Sequence, residues 1–335
     1  MPHVQERKGQ YLTLLVFITA IVTVSNVFVG SRDIEWQVTV QALFHFNESD
    51  TEHLIVHFMR LPRAIIAMIA GAALGVAGTL IQAFTRNPLA DTGILGINAG
   101  ATTAIVAAIA IFHIHEIALY VWFGFLGAGL TGIAIYYLAS SSKQLSHIRL
   151  VLSGAALSII LLSLTHIIIL NSEEAIFDQF RHWISGSLQG RRFEVLVTLA
   201  AGTVPFLLGA LFLGKTLNLL AMGDHQARSL GLNISTTYLL IGILIIVLAG
   251  LTTAAIGPIS FIGLVAPHIA RLLIGANYPW LIPYSMAIGG LLLSTADLLG
   301  KLIGSPGEVS AGIMSAIIGA PFFIFLIRKL KSFRL

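Results

Sequence analysis

Residues 64–84 read AIIAMIAGAALGVAGTLIQAF, a run of 21 residues without one ionisable side chain. At a rise of about 1.5 Å per residue, a helix of this length is roughly 30 Å long, which is the thickness of a bilayer hydrocarbon core. Gly71 and Gly75 are four residues apart and lie on one face, as in helices that pack closely inside membranes. The stretch predicts a membrane-spanning helix.

The rest of the chain has the same character. Of its 335 residues, 56% are hydrophobic and 10% are charged, against about 25% charged in soluble proteins. Similar apolar runs predict ten spans, the first being an uncleaved helix and the eighth short and broken by Gly263 and Pro267. These spans are 11–29, 64–84, 93–112, 118–138, 150–170, 195–213, 236–255, 259–274, 281–298 and 309–327. The predicted fold is therefore an all-α polytopic membrane protein, with residues 1–335 forming one domain.

The basic residues predict the orientation. With ten spans both termini lie on one side, and that side receives 12 of the 19 Lys and Arg residues. Most acidic residues fall on the other side. Because basic loops stay in the cytoplasm, both termini are expected there. The net charge of +4 thus reports topology and does not indicate a nucleic-acid partner.

Two stretches match nucleotide-binding motifs only by their letters. Residues 209–216 (GALFLGKT) fit a phosphate-binding loop, and residues 127–132 (GAGLTG) fit a dinucleotide fingerprint. Both motifs need a preceding strand and a flexible loop, whereas these stretches lie at the end of, or inside, predicted membrane helices. We therefore expect no nucleotide site and no catalytic residues in this chain.

Ionisable residues are scarce inside the spans. Outside the short eighth span, only His166 and Asp297 are exceptions, which argues against an ion-coupled secondary transporter because such proteins need buried carboxylates. A membrane-embedded enzyme is disfavoured because no His, Asp, Glu and Ser constellation gathers at one depth. The chain has no cysteine, and the histidines near His113 are more typical of a solvated helix end than of a metal site. No metal site is expected.

Several separated blocks nevertheless resemble one family. They are Arg60-Leu-Pro-Arg63, residues 82–91 (QAFTRNPLAD), 223–231 (GDHQARSLG), 257–271 (GPISFIGLVAPHIAR) and 319–323 (GAPFF). In order and spacing the chain resembles the FecCD family of ABC permeases, which import iron siderophores, haem and vitamin B12. The resemblance implies ten helices and no chemistry in this chain, because separate subunits hydrolyse ATP.

The resemblance implies an ATPase coupling segment in the cytoplasmic loop 214–235. Its residues would be Gly223, Asp224, Ala227, Arg228, Leu230 and Gly231. A short helix there would dock on the ATPase and transmit its closure to a neighbouring gate. The alternative is a solvated connection without a partner.

On the outer side, Arg60, Arg63 and Lys301 run against the charge bias. The resemblance implies that they pair with carboxylates of an extracytoplasmic binding protein. Lysine stands where the family has arginine, so its contact should be a looser point-charge pairing. The alternative is that all three side chains reach to lipid headgroups.

The resemblance also implies a cytoplasmic gate formed by Asn87 and Leu89 together with Ser146 and His147. Ordinary turns are the alternative there. A second departure, Glu308-Val-Ser310 in place of Glu-Leu-Pro, predicts a less kinked start to the last helix.

Together these features predict the permease subunit of an ATP-driven importer in a bacterial cytoplasmic membrane. It would pair with a second permease subunit, identical or paralogous, and carry a ferric siderophore along a pathway lined by the fifth and tenth helices. Vitamin B12 or haem are the alternative cargoes. No cofactor is expected in this chain, since ATP is used by the partner.

Overall fold

A computed structural model describes residues 2–114, 116–141, 144–145 and 147–332. Within them, fifteen α-helices follow one another along the chain. They are Pro2–Phe28 (α1), Trp36–Phe44 (α2), Thr51–Ile55 (α3), Leu61–Thr85 (α4), Ile97–Ala110 (α5), Ile117–Ala139 (α6), His147–Leu170 (α7), Glu174–Ile184 (α8), Phe193–Phe212 (α9), Gly214–Ala221 (α10), Asp224–Ser229 (α11), Ile234–Ile256 (α12), Ile262–Ile274 (α13), Tyr278–Gly304 (α14) and Ala311–Ser332 (α15).

Three short elements complete the description. A π-helical turn, Val56–Arg60, joins α3 to α4, and a 3₁₀ turn, Thr92–Leu95, precedes α5. Between α6 and α7, Ser140–Ser141 (β1) pairs antiparallel with Gln144–Leu145 (β2), Ser140 opposite Leu145. The prediction of an all-helical membrane protein is confirmed, apart from this two-residue pair.

Among the described residues, seven helical stretches are long and apolar enough to cross a membrane, and three shorter apolar helices accompany them. The long stretches correspond to α1, the continuous run from α3 to α4, α6, α7, α9, α12 and α14. The shorter helices are α5, α13 and the apolar part of α15. The ten apolar helices correspond one to one with the ten predicted spans.

The third and eighth predicted spans begin later than expected. Helix α5 starts at Ile97 and not at residue 93, because Gly96 takes the left-handed conformation, with a φ of 67°. Helix α13 starts at Ile262 and not at residue 259, after Phe261 with a φ of 70°. At about 20 Å each, both helices are shorter than a bilayer core. Leu95 and Ile259 in the approaching segments are buried, as irregular backbone at membrane depth must be.

Helix α4 forms the centre of the molecule, with α14, α12, α13 and α9 packed around it. A Cβ atom added to Gly71 would collide with the carbonyl oxygen of Gly289 in α14, and one added to Gly78 would collide with Gly263 in α13. The small residues of the quoted stretch therefore allow helix backbones to touch, which is how helices associate where lipid supplies no hydrophobic drive.

Some helices lie outside the predicted spans. Helix α8 buries Ile176, Phe180 and Trp183 on one face and exposes charged residues on the other, so it packs on the bundle without entering it. Helices α2 and α3 precede α4. Because α2 and α3 are short and combine polar with apolar residues, the sequence predicts neither of them as a membrane span by itself.

The two motif lookalikes are helical, as predicted. Residues 209–216 run from the end of α9 through Leu213 into α10, and residues 127–132 lie inside α6. Gly127 packs against Gly100 of α5, so that glycine serves helix contact. Neither stretch follows a strand among the described residues.

Candidate functional site

The candidate residues gather at two opposite ends of α4. From Arg63 to Thr85 this helix is about 33 Å long at 1.5 Å per residue, close to the thickness of the hydrocarbon core. Arg60 and Arg63 therefore mark one membrane boundary. Arg86, which ends the helix in a left-handed conformation with a φ of 53°, marks the other.

Arg60 is reached through the π turn. The N–H of Leu61 donates to the carbonyl of Val56, five residues back, so the turn is one residue wider than an α-turn. The guanidinium of Arg60 donates to the carbonyl oxygens of Phe28 at 2.9 Å and of Arg32, and its side chain is buried. The guanidinium of Arg60 thus caps the C-terminal end of α1, and its N–H groups that do so are not available to a partner.

Arg63 is the centre of a charged network. Its Nε and Nη2 donate to Oδ1 of Asp297 at 3.0 and 2.7 Å, and its Nη1 donates to Oε2 of Glu308 at 2.6 Å. One guanidinium therefore joins α4 to α14 and to the segment before α15.

Lys301 extends the network along α14. Its Nζ lies 3.0 Å from Oδ2 of Asp297, one helical turn earlier, and it donates to the carbonyl and side-chain oxygens of Asn26 in α1. The side chains of Lys301 and Asp297 are each 1% exposed. Two cations and two carboxylates balance, which is the condition for charges to persist away from water.

This placement changes how the predicted docking cations must be read. The sequence interpretation treated Arg60, Arg63 and Lys301 as cations free to meet a partner, whereas all three are buried and engaged within the chain. The headgroup alternative meets the same obstacle. Their docking role stays a prediction. The sequence did hold one signal of the network, since Asp297 and Lys301 are four residues apart on one helix.

A small cleft opens beside the network. It has a volume of about 100 Å³. Its charged lining residues are Arg32, Arg60, Arg63, Lys301 and Glu308, and Gln189 and Gly190 close it from the α8–α9 connection. Arg32 is the accessible cation, with a side chain 59% exposed and 3.7 Å from Glu52. Four carboxylates, those of Asp33, Glu52, Asp297 and Glu308, lie close to the four cations of this cleft, so the charges balance.

At the other end, residues 214–235 contain two helices, α10 and α11, where one was expected. Gly223 and Gly231 bracket α11 with φ values of 106° and 87°, a conformation that suits glycine. Ala227 faces inward and is fully buried, whereas Arg228 and Leu230 are exposed. The segment thus presents a small surface of its own.

Helix α11 is tied to the end of α4. Asp224 Oδ1 accepts from Arg86 Nη2 at 2.6 Å and from the Tyr238 hydroxyl at 3.2 Å. Arg86 and Asp224 are 41% and 37% exposed, so water reaches this pair. Arg86 directly precedes the predicted gate residue Asn87, and the pair therefore joins the two predicted sites.

The gate prediction is only partly accessible. Asn87 Oδ1 accepts from the Leu89 N–H at 2.9 Å, which forms a local turn. His147 begins α7, but its side chain and the whole of Ser146 lie outside the described residues. The cytoplasmic gate therefore stays a prediction.

Asp91 is a buried group that the sequence interpretation did not single out. Its carboxylate lies beside Gly263 near the start of α13, and its Oδ1 has no hydrogen-bond partner. Burial raises the pKa of this carboxyl, although hydrogen bonds from Thr92 and from the Phe261 N–H oppose the shift. Asp91 thus links the turn after α4 to α13.

In the part of the chain that the structure describes, no three His, Asp or Glu side chains lie close enough to hold a metal ion. The arrangement is that of a multi-pass membrane protein with one charged, closed end and one end that presents a short exposed helix.

Comparison with known proteins agrees with this class. The chain matches the FecCD transport family over residues 16–329. It is 40% identical over 319 residues to the probable siderophore transport system permease protein YfiZ of Bacillus subtilis strain 168, with 95% of each chain covered. It is 39% identical over 320 residues to the ferric enterobactin transport system permease protein FepD of Escherichia coli K12, with 94% of each covered.

A solved structure shares the fold. It is the inward-facing conformation of a metal-chelate type ABC transporter, with a TM-score of 0.84 and 26% identity, covering 96% of this chain and 99% of that one. The fold and its two ends therefore define the permease subunit of an ABC transporter, which is not itself an enzyme. The chain belongs to the FecCD transport family.

Proposed function

We propose that this permease carries a ferric siderophore across the cytoplasmic membrane of a bacterium as part of an ATP-driven importer. The names of YfiZ and FepD support the cargo class. The observation that carries the mechanism is the exposed helix α11 tied by Asp224 to Arg86, because it connects an accessible cytoplasmic surface to the gate segment.

We infer ten membrane crossings with both termini in the cytoplasm. Seven long and three short apolar helices support the number. The excess of Lys and Arg on the side of the termini supports the orientation. Because the chain contains no cysteine, single cysteines can report it without background. A maleimide that cannot cross membranes should label Ser31→Cys in intact spheroplasts and Ser229→Cys only after permeabilisation. The reverse pattern would contradict the orientation.

A second permease subunit would complete the pathway. The helix of the tenth predicted span, α15, exposes Ile313 and Ile317. The helix of the fifth predicted span, α7, exposes Leu152 and Ile159, and most of its residues are not buried within the subunit. Such apolar faces suit either lipid or a partner helix. Two permease subunits with α7 and α15 toward each other would enclose a channel that passes a bulky chelate without gripping it.

ATP would be hydrolysed by separate subunits that contact α11 through Arg228 and Leu230. Closure of these subunits would push α11, and the pair Arg86–Asp224 would transmit the movement to Asn87 and Leu89. A rigid element that moves its neighbour is a common form of such coupling. No cofactor is required in this chain itself.

An extracytoplasmic binding protein would deliver the chelate to the outer end. The exposed guanidinium of Arg32 at the rim of the outer cleft would attract an acidic residue of such a protein and help to set its orientation. Arg32 would make the first contact, because it is the accessible cation there.

Uptake into proteoliposomes tests the function. The permease would be reconstituted with its ATPase and each candidate binding protein, and supplied with ⁵⁵Fe-labelled hydroxamate and catecholate siderophores, ferric citrate, haem and ⁵⁷Co-vitamin B12. We expect ATP-dependent accumulation of one siderophore class. Accumulation of haem or vitamin B12 alone would overturn the cargo assignment, and ATP-independent uptake driven by an ion gradient would overturn the importer class.

The coupling proposal has its own test. Ala227→Asp places a charge on the fully buried side of α11 and should dislodge that helix, so uptake and ATPase stimulation should fall at least tenfold. Gly231→Trp should do the same, because its φ of 87° disfavours a bulky side chain. The matched control is Ala175→Asp, which adds the same charge at an exposed position of the outer helix α8. Normal uptake by Ala227→Asp in the presence of ATPase would refute the coupling role.

A further inference from the structure

Arg63 is paired differently on its two sides. Toward the interior it meets Asp297, whose side chain is 1% exposed and also contacts Lys301. Toward the cleft it meets Glu308, and both of those side chains are 11% exposed. The interior pair is therefore fixed by further charges, whereas the cleft-side pair with Glu308 is the one that water and other groups can reach.

The cleft provides room for a competing anion. Its volume of about 100 Å³ is well above the roughly 10–15 Å³ that a cavity needs to hold one water molecule, and it leaves room for the end of an Asp or Glu side chain. Four cations and Glu308 line it, and Asp33, Glu52 and Asp297 lie close to those cations, so the charges are balanced and an incoming carboxylate could enter only in exchange for one already there. Glu308 already occupies the place on Arg63 that such a carboxylate would take.

Release of Glu308 from Arg63 would also affect the segment that leads into α15. It lies three residues before α15, and the neighbouring segment is held by contacts that are mostly backbone. The Val309 N–H donates to the Gly300 carbonyl at 3.1 Å, and the Ser310 hydroxyl donates to the Ser185 carbonyl at 3.0 Å. The pair with Arg63 is the charged contact of this segment, so losing it should loosen the start of α15.

We propose that Glu308 is an internal competitor at Arg63, which a carboxylate of the extracytoplasmic partner displaces, and that this exchange releases the segment leading into α15. The proposal rests on the docking function proposed above and adds its regulation. Docking and the outer opening of the pathway would then be one event. Without a partner the outer end stays closed, because Arg63 is satisfied from within.

The exchange balances in charge. Before docking, Arg63 faces Asp297 and Glu308; afterwards it faces Asp297 and the partner carboxylate, and Glu308 turns toward solvent. No buried cation is left unpaired at any stage, which would otherwise be strongly unfavourable. Arg32, whose side chain is 59% exposed, is the cation that the incoming group would meet first.

The first arm of the test needs no partner. On the natural cysteine-free background, Ser310→Cys reports the accessibility of the segment, and its maleimide labelling rate is measured with and without Glu308→Gln. We expect labelling to be at least threefold faster with Glu308→Gln. The matched control is Glu48→Gln, which removes the same charge from an exposed site on the same side and should leave the rate unchanged.

The second arm measures affinity for the binding protein that supports uptake in the assay above. Glu308→Gln removes the competitor and should bind it about five- to tenfold more tightly than wild type, the effect of roughly one ion pair. Glu308→Asp keeps the charge on a shorter side chain and should fall between the two, which provides a second variant if Glu308→Gln folds poorly.

The outcomes separate the two proposals. If Glu308→Gln labels and binds as Glu48→Gln does, the exchange is wrong although wild-type binding and uptake still support the importer. If wild type neither binds a partner nor takes up any chelate, the proposed function fails, and faster labelling of Ser310→Cys would then reflect only a structural clasp.

Discussion

Arg63–Glu308 at the proposed outer end and Arg86–Asp224 at the proposed cytoplasmic end are ion pairs of the same length, 2.6 Å. Their surroundings differ. The outer pair is 11% exposed on both sides and continues through Asp297 to Lys301, whereas the inner pair is 41% and 37% exposed and stands at the edge of a short surface helix.

The difference indicates that the two ion pairs have different structural roles. At the end that holds Arg63, charges join α1, α4, α14 and the approach to α15, and most of this network is buried. At the other end, the solvent-accessible pair Arg86–Asp224 links α11 to the end of α4, on a surface that is accessible to a partner. Equal distances therefore do not imply equal energies, because the dielectric surroundings decide the strength of each pair.

The largest expected effect comes from removing the shared carboxylate of the outer network. Asp297→Ala leaves Arg63 and Lys301 facing each other in a buried site, so the free energy of unfolding should fall by about 3–5 kcal/mol. Thermal unfolding of the purified subunit in detergent measures it. Glu48→Ala should lie within about 0.5 kcal/mol of wild type. Equal stability of the two variants would show that the network does not hold the outer end together.

Removing Lys301 should matter less. In Lys301→Met, Asp297 retains Arg63, while the oxygens of Asn26 lose their donor. We expect a loss of about 1–3 kcal/mol in the free energy of unfolding. In the double variant Lys301→Met with Asp297→Leu, the loss in the free energy of unfolding should be smaller than the sum of the losses in the two single variants, because the two residues interact. Strict additivity would mean that the pair has no coupling energy.

The cytoplasmic pair should contribute little to stability. Asp224→Asn should lower the free energy of unfolding by about 0–1 kcal/mol, because both partners are solvated. The difference from wild type should shrink between 0.05 and 0.5 M NaCl, where exposed charges are screened. A loss as large as that of Asp297→Ala, insensitive to salt, would erase the contrast between the two ends.

The smallest effect is expected for Asp91. This carboxyl is buried although it lies at the same end of the molecule as the solvated Arg86–Asp224 pair, so it limits the contrast between the two ends. Its pKa is raised by burial, so the folded state holds the proton more tightly than the unfolded chain. Stability from this group is present at low pH and falls as pH rises from the unfolded pKa, about 3.9, through the raised folded value. Asp91→Asn should therefore unfold roughly 0.5–1 °C higher than wild type at pH 8 and equally at pH 4.

Thermal unfolding across that range in one detergent measures the difference between Asp91→Asn and wild type. A variant that is less stable than wild type at pH 8 would indicate an ionised Asp91 whose charge is used by the start of α13.

Much of this protein follows from its sequence alone. The uncharged run 64–84 and its repeats determine the membrane class, because only a helix satisfies every backbone group inside lipid. Gly71 and Gly75 indicated close helix contact, and the separated blocks from Arg60 to Phe323 indicated the family. Each of these is a local property or an ordered pattern along the chain.

Tertiary structure decided the rest. Arg63 and Glu308 are 245 residues apart in the sequence, and no local pattern states that they meet. The sequence therefore gives the charge of Arg60, Arg63 and Lys301 without showing that each is already paired within the chain. Whether a charged side chain is free or engaged depends on which helices pack beside it, and that is fixed only when the whole bundle has assembled.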